Sequence, residues 1–502
     1  MKLKQIALLV AGFTLSTAAF AAPVTIAQIE AARVAGQLDQ AWITGASAPV
    51  RTIYEGFVGS GPNIGCDTGT NTIFTSQTGT NNIPGALGNF LAYACTRAGK
   101  VSVLYHTIDG GSLNAYSPHT IATKLARLKY VGSPTANTCT AVANYPDPTN
   151  SANDAAVFKS CALVGAALPG TGPTAGSNTT NGNAVNADSN APSLPVGGFS
   201  DVEAALFDPT IGGGNVSGKG TEGNANVTQV FGVAVSTPLY RALQTAQGLA
   251  DVNATTYDPA VAPNITKAQY ASIAAAGGAY QTDWAPIVGA AGTGKKVILA
   301  RRVATSGTQA TSNSFFLAKP CADGLGAGLA PAVVSDSSPT FEVFEGASTG
   351  NVKTRLTTAS LNTGADNFAI GIMSVENDWR AEAASSASPP LAFGPSAGYR
   401  FVKVNGIHPE AGDIVNGRAT TISGAYELAK ELKNFTANTA TGFGANVVNQ
   451  ITAALSNPPG AACAVLPRGL ALNPLAGSSC GAAQVAKVTN LGNNCSPFQL
   501  VQ

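Results

Sequence analysis

The sequence predicts an α/β fold in two lobes with mixed sheets. Three observations carry this expectation. Short apolar runs end in small-residue turns that lead into helices, β–α alternation dominates the middle third, and 502 residues suffice for two lobes, each with a buried core. No repeat at a fixed period is visible, which argues against a solenoid.

Residues 1–21 read as a signal peptide. Lys2 and Lys4 form a basic start, "IALLVAGFTL" is a short apolar stretch, and Ala19-Phe20-Ala21 is a small-x-small cleavage site. The mature chain is expected to begin at Ala22 and to be periplasmic or secreted. No lipobox cysteine precedes Cys66 and no later run reaches the about 18 apolar residues that span a bilayer, so no membrane anchor is expected.

From Val24 to about Lys129, "QAWITGASAPVRTIYEGF" reads as a strand, a Gly-Ala-Ser turn and a helix from near Pro49, and "KVSVLYHTIDGGSLNAY" repeats the pattern. The stretch of about 168–195, rich in Asn, Gly, Ser, Thr and Pro, reads as an exposed insertion. "VGGFSDVEAALFDP" resumes with strand, acidic turn and short helix, and "TQVFGVAVSTPLYRALQTAQGL" reads as a buried strand leading through Pro238 into an amphipathic helix. "ITKAQYASIAAAGGAY" is a capped helix, while "KKVILARRV" and "FAIGIMSV" are strands. "ISGAYELAKELKNF" is most simply a helix from about Ala425 to Lys433, and the stretch after Pro458 is cysteine-bearing and irregular. The expected layout is lobe I over 22–231, lobe II over 232–418, and a return to lobe I with a disulfide-bearing tail over 419–502.

Lys and Arg number 28 against 27 Asp and Glu, and charged residues make up only 11% of the chain. There is no basic field to draw in nucleic acid or anionic lipid. Eight cysteines, Cys66, Cys95, Cys139, Cys161, Cys321, Cys463, Cys480 and Cys495, imply up to four disulfides in an exported chain, and none has metal-ligand spacing. Proximity suggests Cys66 with Cys95 and Cys139 with Cys161, and leaves the last four open.

Several motifs point away from catalysis. Gly289 to Lys295 satisfies GxxxxGK, but Lys296 stands where a P-loop needs a Mg²⁺-binding hydroxyl, so a glycine-rich turn is the simpler reading. His106, His119 and His408 are scattered, as ordinary surface or loop histidines would be, and no GxSxG elbow occurs. No cofactor is implied.

Arg302 and Ser306-Gly307-Thr308 have the right physics for a small tetrahedral oxyanion. A turn opening a helix presents unpaired N–H groups at the positive end of the helix dipole, hydroxyls add donors, and a guanidinium supplies a fixed fork of charge. Arg301, on the other strand face, is expected to be structural. Three other turns after apolar runs share this character: Gly45 to Ala48, Gly110 to Ser112 and Phe199 to Asp201. Small-residue turns at strand C-termini are what an α/β protein with a crevice site needs.

These residues resemble the periplasmic phosphate-binding proteins of ABC transporters, a family with the type II substrate-binding fold. The family's arginine followed by Ser-Gly-Thr looks like Arg302, Ser306, Gly307 and Thr308. Its opening turn is similar to "TGASAP", which implies ligand contacts at Ser47 and Ala48; its second turn looks like "YHTIDGGS", implying Ser112 or Gly110. Its Phe-Gly-x-Ser-Asp turn resembles "GGFSDVE" and implies Asp201 as acceptor of the phosphate proton, and Trp284 matches a family tryptophan. The likeness covers most of Val24 to about Leu432. It departs at Ala304, where the family carries an acidic partner for the arginine, and at Thr305, where it carries glycine; Arg302 is thereby left more positive and less firmly held.

The resemblance implies a binding protein rather than an enzyme, with a small inorganic anion, phosphate first, held between two lobes and delivered to an ABC permease. The competing expectation is an extracellular or surface-associated structural or adhesive protein that keeps the fold without transport.

Overall fold

The structure, a computed structural model, describes residues 22–59, 65–75, 89–128, 130–132, 139–141, 157–161, 190–249, 257–275, 282–322, 328, 330–381, 398–456, 466–474 and 484–501. The signal-peptide reading of 1–21, most of the expected insertion, and Cys463 and Cys480 lie outside the described residues.

The chain opens with α1 (Ile26–Val34), held by a capping box between Thr25 and Gln28. β1 (Asp39–Gly45) feeds the Ala46–Pro49 turn and α2 (Val50–Val58), as the sequence predicts. β2 (Thr72–Thr75), β3 (Phe90–Arg97) and β4 (Lys100–Thr107) follow, then α3 (Ser117–Thr120), β5 (Cys139–Ala141), β6 (Val157–Cys161) and β7 (Gly197–Ser200). The 17-residue β8 (Gly220–Ser236) runs into α4 (Thr237–Ala246) with Pro238 in its first turn, and β9 (Asn264–Ile265) into α5 (Lys267–Ala274), boxed by Thr266 and Gln269. After α6 (Ala285–Val288) come β10 (Val297–Arg302), α7 (Gly307–Phe316), β11 (Phe341–Gly346), α8 (Thr349–Leu361) and β12 (Ala369–Ser374). The chain continues with β13 (Tyr399–Phe401), β14 (Lys403–Val404), α9 (Ala419–Ile422), β15 (Ala429–Ala437), α10 (Gly442–Ser456), β16 (Leu470–Leu472), β17 (Val488–Thr489) and β18 (Gln499–Leu500).

Among the described residues fourteen strands join one mixed sheet along the path β11-β10-β12-β8-β15-β7-β1-β4-β3-β2-β6-β5, with β13 and β16 also on β8. β1 lies parallel to both β4 and β7, with Thr44 opposite Thr107 and Gly45 opposite Phe199, so the turns after these three strands meet at one end of the sheet. β8 changes partners along its length: residues up to Val230 pair with β15, and Phe231 onward with β12. The cores divide at the same place. One large apolar cluster draws only on residues between Val230 and Leu428, and a second on residues up to Val227 and from Leu432 onward. In β1, Ala41 and Ile43 enter the second cluster while Trp42 enters a third on the opposite face, the period of two that an extended strand dictates.

Three expectations need correction. Ala425 to Lys433 is not a helix; from Ala429 it is β15, antiparallel to β7 and β8 in mid-sheet. "AKELK" has helical propensity, but its buried lysines find their partners on distant segments: Lys430 Nζ donates to the Asn494 carbonyl at 2.5 Å, and Lys433 Nζ to Asn224 Oδ1 of β8 at 2.7 Å. Second, residues 190–195, the described end of the expected insertion, are packed rather than exposed: Gln40 donates to the Asn190 carbonyl and Arg127 to that of Pro192. Third, His106 and His408 are core residues, not surface ones. His106 bonds Tyr93 Oη at 3.0 Å, and His408 sits among Tyr257, the Phe401 carbonyl and the Glu410 N–H.

Cys66 is bonded to Cys95, the expected pair, and Cys321, whose partner the sequence leaves open, to Cys495. Cys139 and Cys161 face each other in register across β5 and β6.

Candidate anion site at the end of the sheet

Each predicted site residue stands where a strand gives way to a turn. β4 ends in Asp109-Gly110-Gly111, where Gly111 takes φ 88°, a left-handed value that glycine accepts without strain. A single 3-10 turn then sets Ser112, and its Leu113 N–H donates to the Thr305 carbonyl at 3.0 Å. Segments almost two hundred residues apart are thus joined by a backbone bond. β7 ends at Ser200, whose hydroxyl donates to the Val202 carbonyl at 2.6 Å and turns the chain so that Asp201 is buried behind it. β10 ends at Arg302, and Val303 to Thr305 lead into α7 with Ser306 as N-cap.

These turns converge. Ser112 Oγ donates to Asp201 Oδ2 at 3.0 Å, and α7 begins against the pair. A Cβ on Gly307 would lie 2.5 Å from both Asp201 Oδ2 and Ser112 Oγ, so any larger residue here would have to displace the Ser112–Asp201 pair. Ser306 makes no side-chain cap bond, and among the described residues the backbone N–H groups of Gly307, Thr308 and Gln309 meet no acceptor. Thr308 is buried beside them.

Arg302 is 5% exposed and held by neutral acceptors. Nη1 donates to Thr349 Oγ1 at 2.7 Å and Nη2 to the Ala347 carbonyl at 3.1 Å, while its backbone N–H donates to Gln309 Oε1. Its Nε and Asp201 Oδ1 are both buried without a hydrogen-bond partner. Buried polar atoms left unpaired cost free energy, and when a donor and an acceptor stand so beside a row of unpaired N–H groups, a polar ligand is the economical way to satisfy them. Arg301 points elsewhere, donating to the Pro331 carbonyl at 2.5 Å and lying 3.1 Å from Glu345, as expected.

Burial sets the electrostatics. Loss of hydration pushes the Asp201 carboxyl up from 3.8 to about 6, against the smaller opposing pulls of the Ser112 hydroxyl and the Arg302 charge. Burial likewise brings Arg302 down to about 10, with Asp201 pulling the other way, so the guanidinium stays charged at neutral pH.

Ser47 and Ala48 lie on the neighbouring turn. The Ala46 N–H donates to the Phe199 carbonyl at 2.8 Å, which fixes this turn beside β7, and the Ser47 carbonyl accepts from Val50. No hydrogen bond joins Ser47 or Ala48 to Ser112, Asp201 or Arg302. Gly110 takes φ 79° and packs on Asn114 rather than on the cluster. Of the two registers left open in the sequence, Ser112 is the one in contact. Trp284 is in the core, its Nε1 donating to the Lys296 carbonyl, and takes no part.

The sequence reading missed Ala347 and Thr349. The signal was present: "FEVFEGAST" has the same strand and Gly-Ala-Ser turn as the segment around Ser47. Among the described residues, no group of His, Cys, Asp and Glu side chains is arranged to hold a metal ion, and no helix is long and apolar enough to cross a membrane.

Comparison with known proteins adds little to this geometry. No family model matches the chain, and no curated protein does. A solved structure described as "a possible phosphate binding protein", from Planctomyces limnophilus, is 14% identical over 48% of this chain, with a TM-score of 0.25. The chain covers 63% of that protein, under two thirds of its length. Overlap so slight carries no argument about fold or function, and the functional reading rests on the residues themselves.

Proposed function

We propose that the protein binds a small tetrahedral oxyanion, phosphate foremost, at the junction of Ser112, Asp201, Arg302 and the first turn of α7. One observation carries the reading: the unpaired Arg302 Nε and Asp201 Oδ1 stand buried at the N-terminus of a ten-residue helix whose first N–H groups are free. A charged donor and the helix N–H groups suit an anion, and an acceptor suits only an anion that still carries a proton. Sulfate, with no proton to give, would leave an oxygen facing the carboxylate, at a cost of roughly 1–3 kcal/mol.

In this reading the protein is a binding protein, not an enzyme, exported after loss of residues 1–21, with the two-lobed type II architecture its residues resemble. The partner change of β8 between Val230 and Phe231, together with the division of the cores, supports a hinge there. Delivery to an ABC permease belongs to the same proposal. Isothermal titration of the folded protein with phosphate, arsenate and sulfate tests it: phosphate and arsenate should bind and sulfate should be weaker. Absence of heat with phosphate would sink it.

A second reading, a surface or structural protein that keeps the fold without transport, has its own support. Ser112 already donates a hydrogen bond to Asp201, and Ala304 offers Arg302 no carboxylate. The same titration separates the two.

A further inference from the structure

The segment 484–501 closes a loop around the candidate site. Its centre is Asn494, buried, with all of its polar atoms engaged. The backbone N–H donates to Glu203 Oε1 at 2.8 Å and Nδ2 to Glu203 Oε2 at 2.5 Å, two residues beyond Asp201. Nδ2 also donates to the Glu431 carbonyl, Oδ1 accepts from the Glu431 N–H at 2.9 Å, and the Asn494 carbonyl accepts from Lys430 Nζ. The flanking residues strengthen this seat: the Gly492 N–H donates to Glu431 Oε2 at 2.9 Å, and Thr489 Oγ1 donates to Glu431 Oε1. The next residue, Cys495, is bonded to Cys321, which lies just beyond the far end of α7.

The circuit is therefore continuous. It runs from Asp201 to Glu203, across to Asn494, through the Cys495–Cys321 bond to α7, and back along α7 to Gly307 against Asp201. Cys321 and Ala310 of α7 also pack on a small apolar cluster of Leu113, Tyr116, Val202 and Leu206. Moving α7 away from the Ser112 and Asp201 turns would require breaking a covalent bond or stripping Asn494 from the buried Glu203 carboxyl, which loses both of its hydrogen-bond donors there.

We propose that segment 484–501 is a strap that fastens α7 to the Asp201 turn and holds the two sides of the anion site together, so that the site opens only against this restraint. This rests on reading the site as one that opens about a hinge. The strap makes a prediction independent of any ligand, because the Leu113 N–H is bonded to the Thr305 carbonyl across the junction and exchanges with solvent only when the two sides part.

The test is hydrogen exchange read by mass spectrometry on the full chain in anion-free buffer, comparing the parent with C321S/C495S. Peptides spanning 110–116 should exchange on the order of tenfold faster in the variant, while peptides over β10 and β12 keep their protection. Unchanged exchange over 110–116, with those strands protected, overturns the strap. If the double variant loses protection everywhere, Asn494→Ala with the disulfide intact decides: selective acceleration at 110–116 supports the strap, and its absence overturns it. Because no anion is present, a failure here is distinct from a failure of phosphate to bind by calorimetry.

Discussion

Replacing Asp201 by Asn probes the central physical claim, that a carboxyl is buried at this junction with too few partners for its charge. The group titrates at about 6 in the folded chain against 3.8 when solvated. A folded value raised above the unfolded one means that the native state holds the proton more tightly. Stability from this group is therefore fully present below pH 3.8 and is lost as pH rises through about 6. About two units at 1.36 kcal/mol each gives a loss of roughly 3 kcal/mol across that window. Buried His106 and half-buried His119, brought down by desolvation to about 3 and about 4, contribute with the opposite sign as pH falls below 6.5. The parent's profile alone is thus a sum. The difference between parent and Asp201→Asn cancels the histidine contributions common to both. Urea denaturation at half-unit steps from pH 4 to 7.5, in buffers free of oxyanions, should give an Asp201→Asn variant that gains on the parent by roughly 3 kcal/mol between the ends. Parallel curves would refute the reasoning, since they would mean that the carboxylate is solvated or fully paired.

Arg302→Ala should weaken phosphate, arsenate and sulfate alike, by roughly 2–5 kcal/mol in titration calorimetry, because it removes a buried formal positive charge beside the junction. Asp201→Asn should instead narrow the gap between phosphate and sulfate, and equal loss for both anions would argue against its role as acceptor. Gly307→Ala introduces a Cβ 2.5 Å from Asp201 Oδ2 and Ser112 Oγ; a fall in stability of roughly 1–3 kcal/mol is expected by thermal melting, together with loss of anion binding. Thr349→Val removes the acceptor for Arg302 Nη1 and should cost about 1 kcal/mol of anion affinity, with Thr349→Ser restoring it; a variant that binds like the parent would show that Thr349 does not position the guanidinium.

The sequence by itself determined the local pieces. Short apolar runs became β1, β4, β7, β8, β10 and β12, because a period-two or continuous apolar stretch of that length specifies a strand with little help from distant contacts. The cap at Thr266, the helix after Ser306, and the residue types suited to an anion were legible for the same reason. The tertiary structure alone decided which turns meet. Ser112, Asp201 and Arg302 lie about a hundred residues apart in sequence, and only parallel pairing of β1 with β4 and β7, and α7 lying across their ends, brings them together. Thr349 was visible as a repeat of an earlier turn, yet its role depends on β11 lying beside β10. β15 shows the limit most sharply. "AKELK" favours a helix locally, but its lysines and glutamate are satisfied by Asn224, Asn490, Gly492 and Asn494, residues that no local window contains, and a buried charge goes where its partners are.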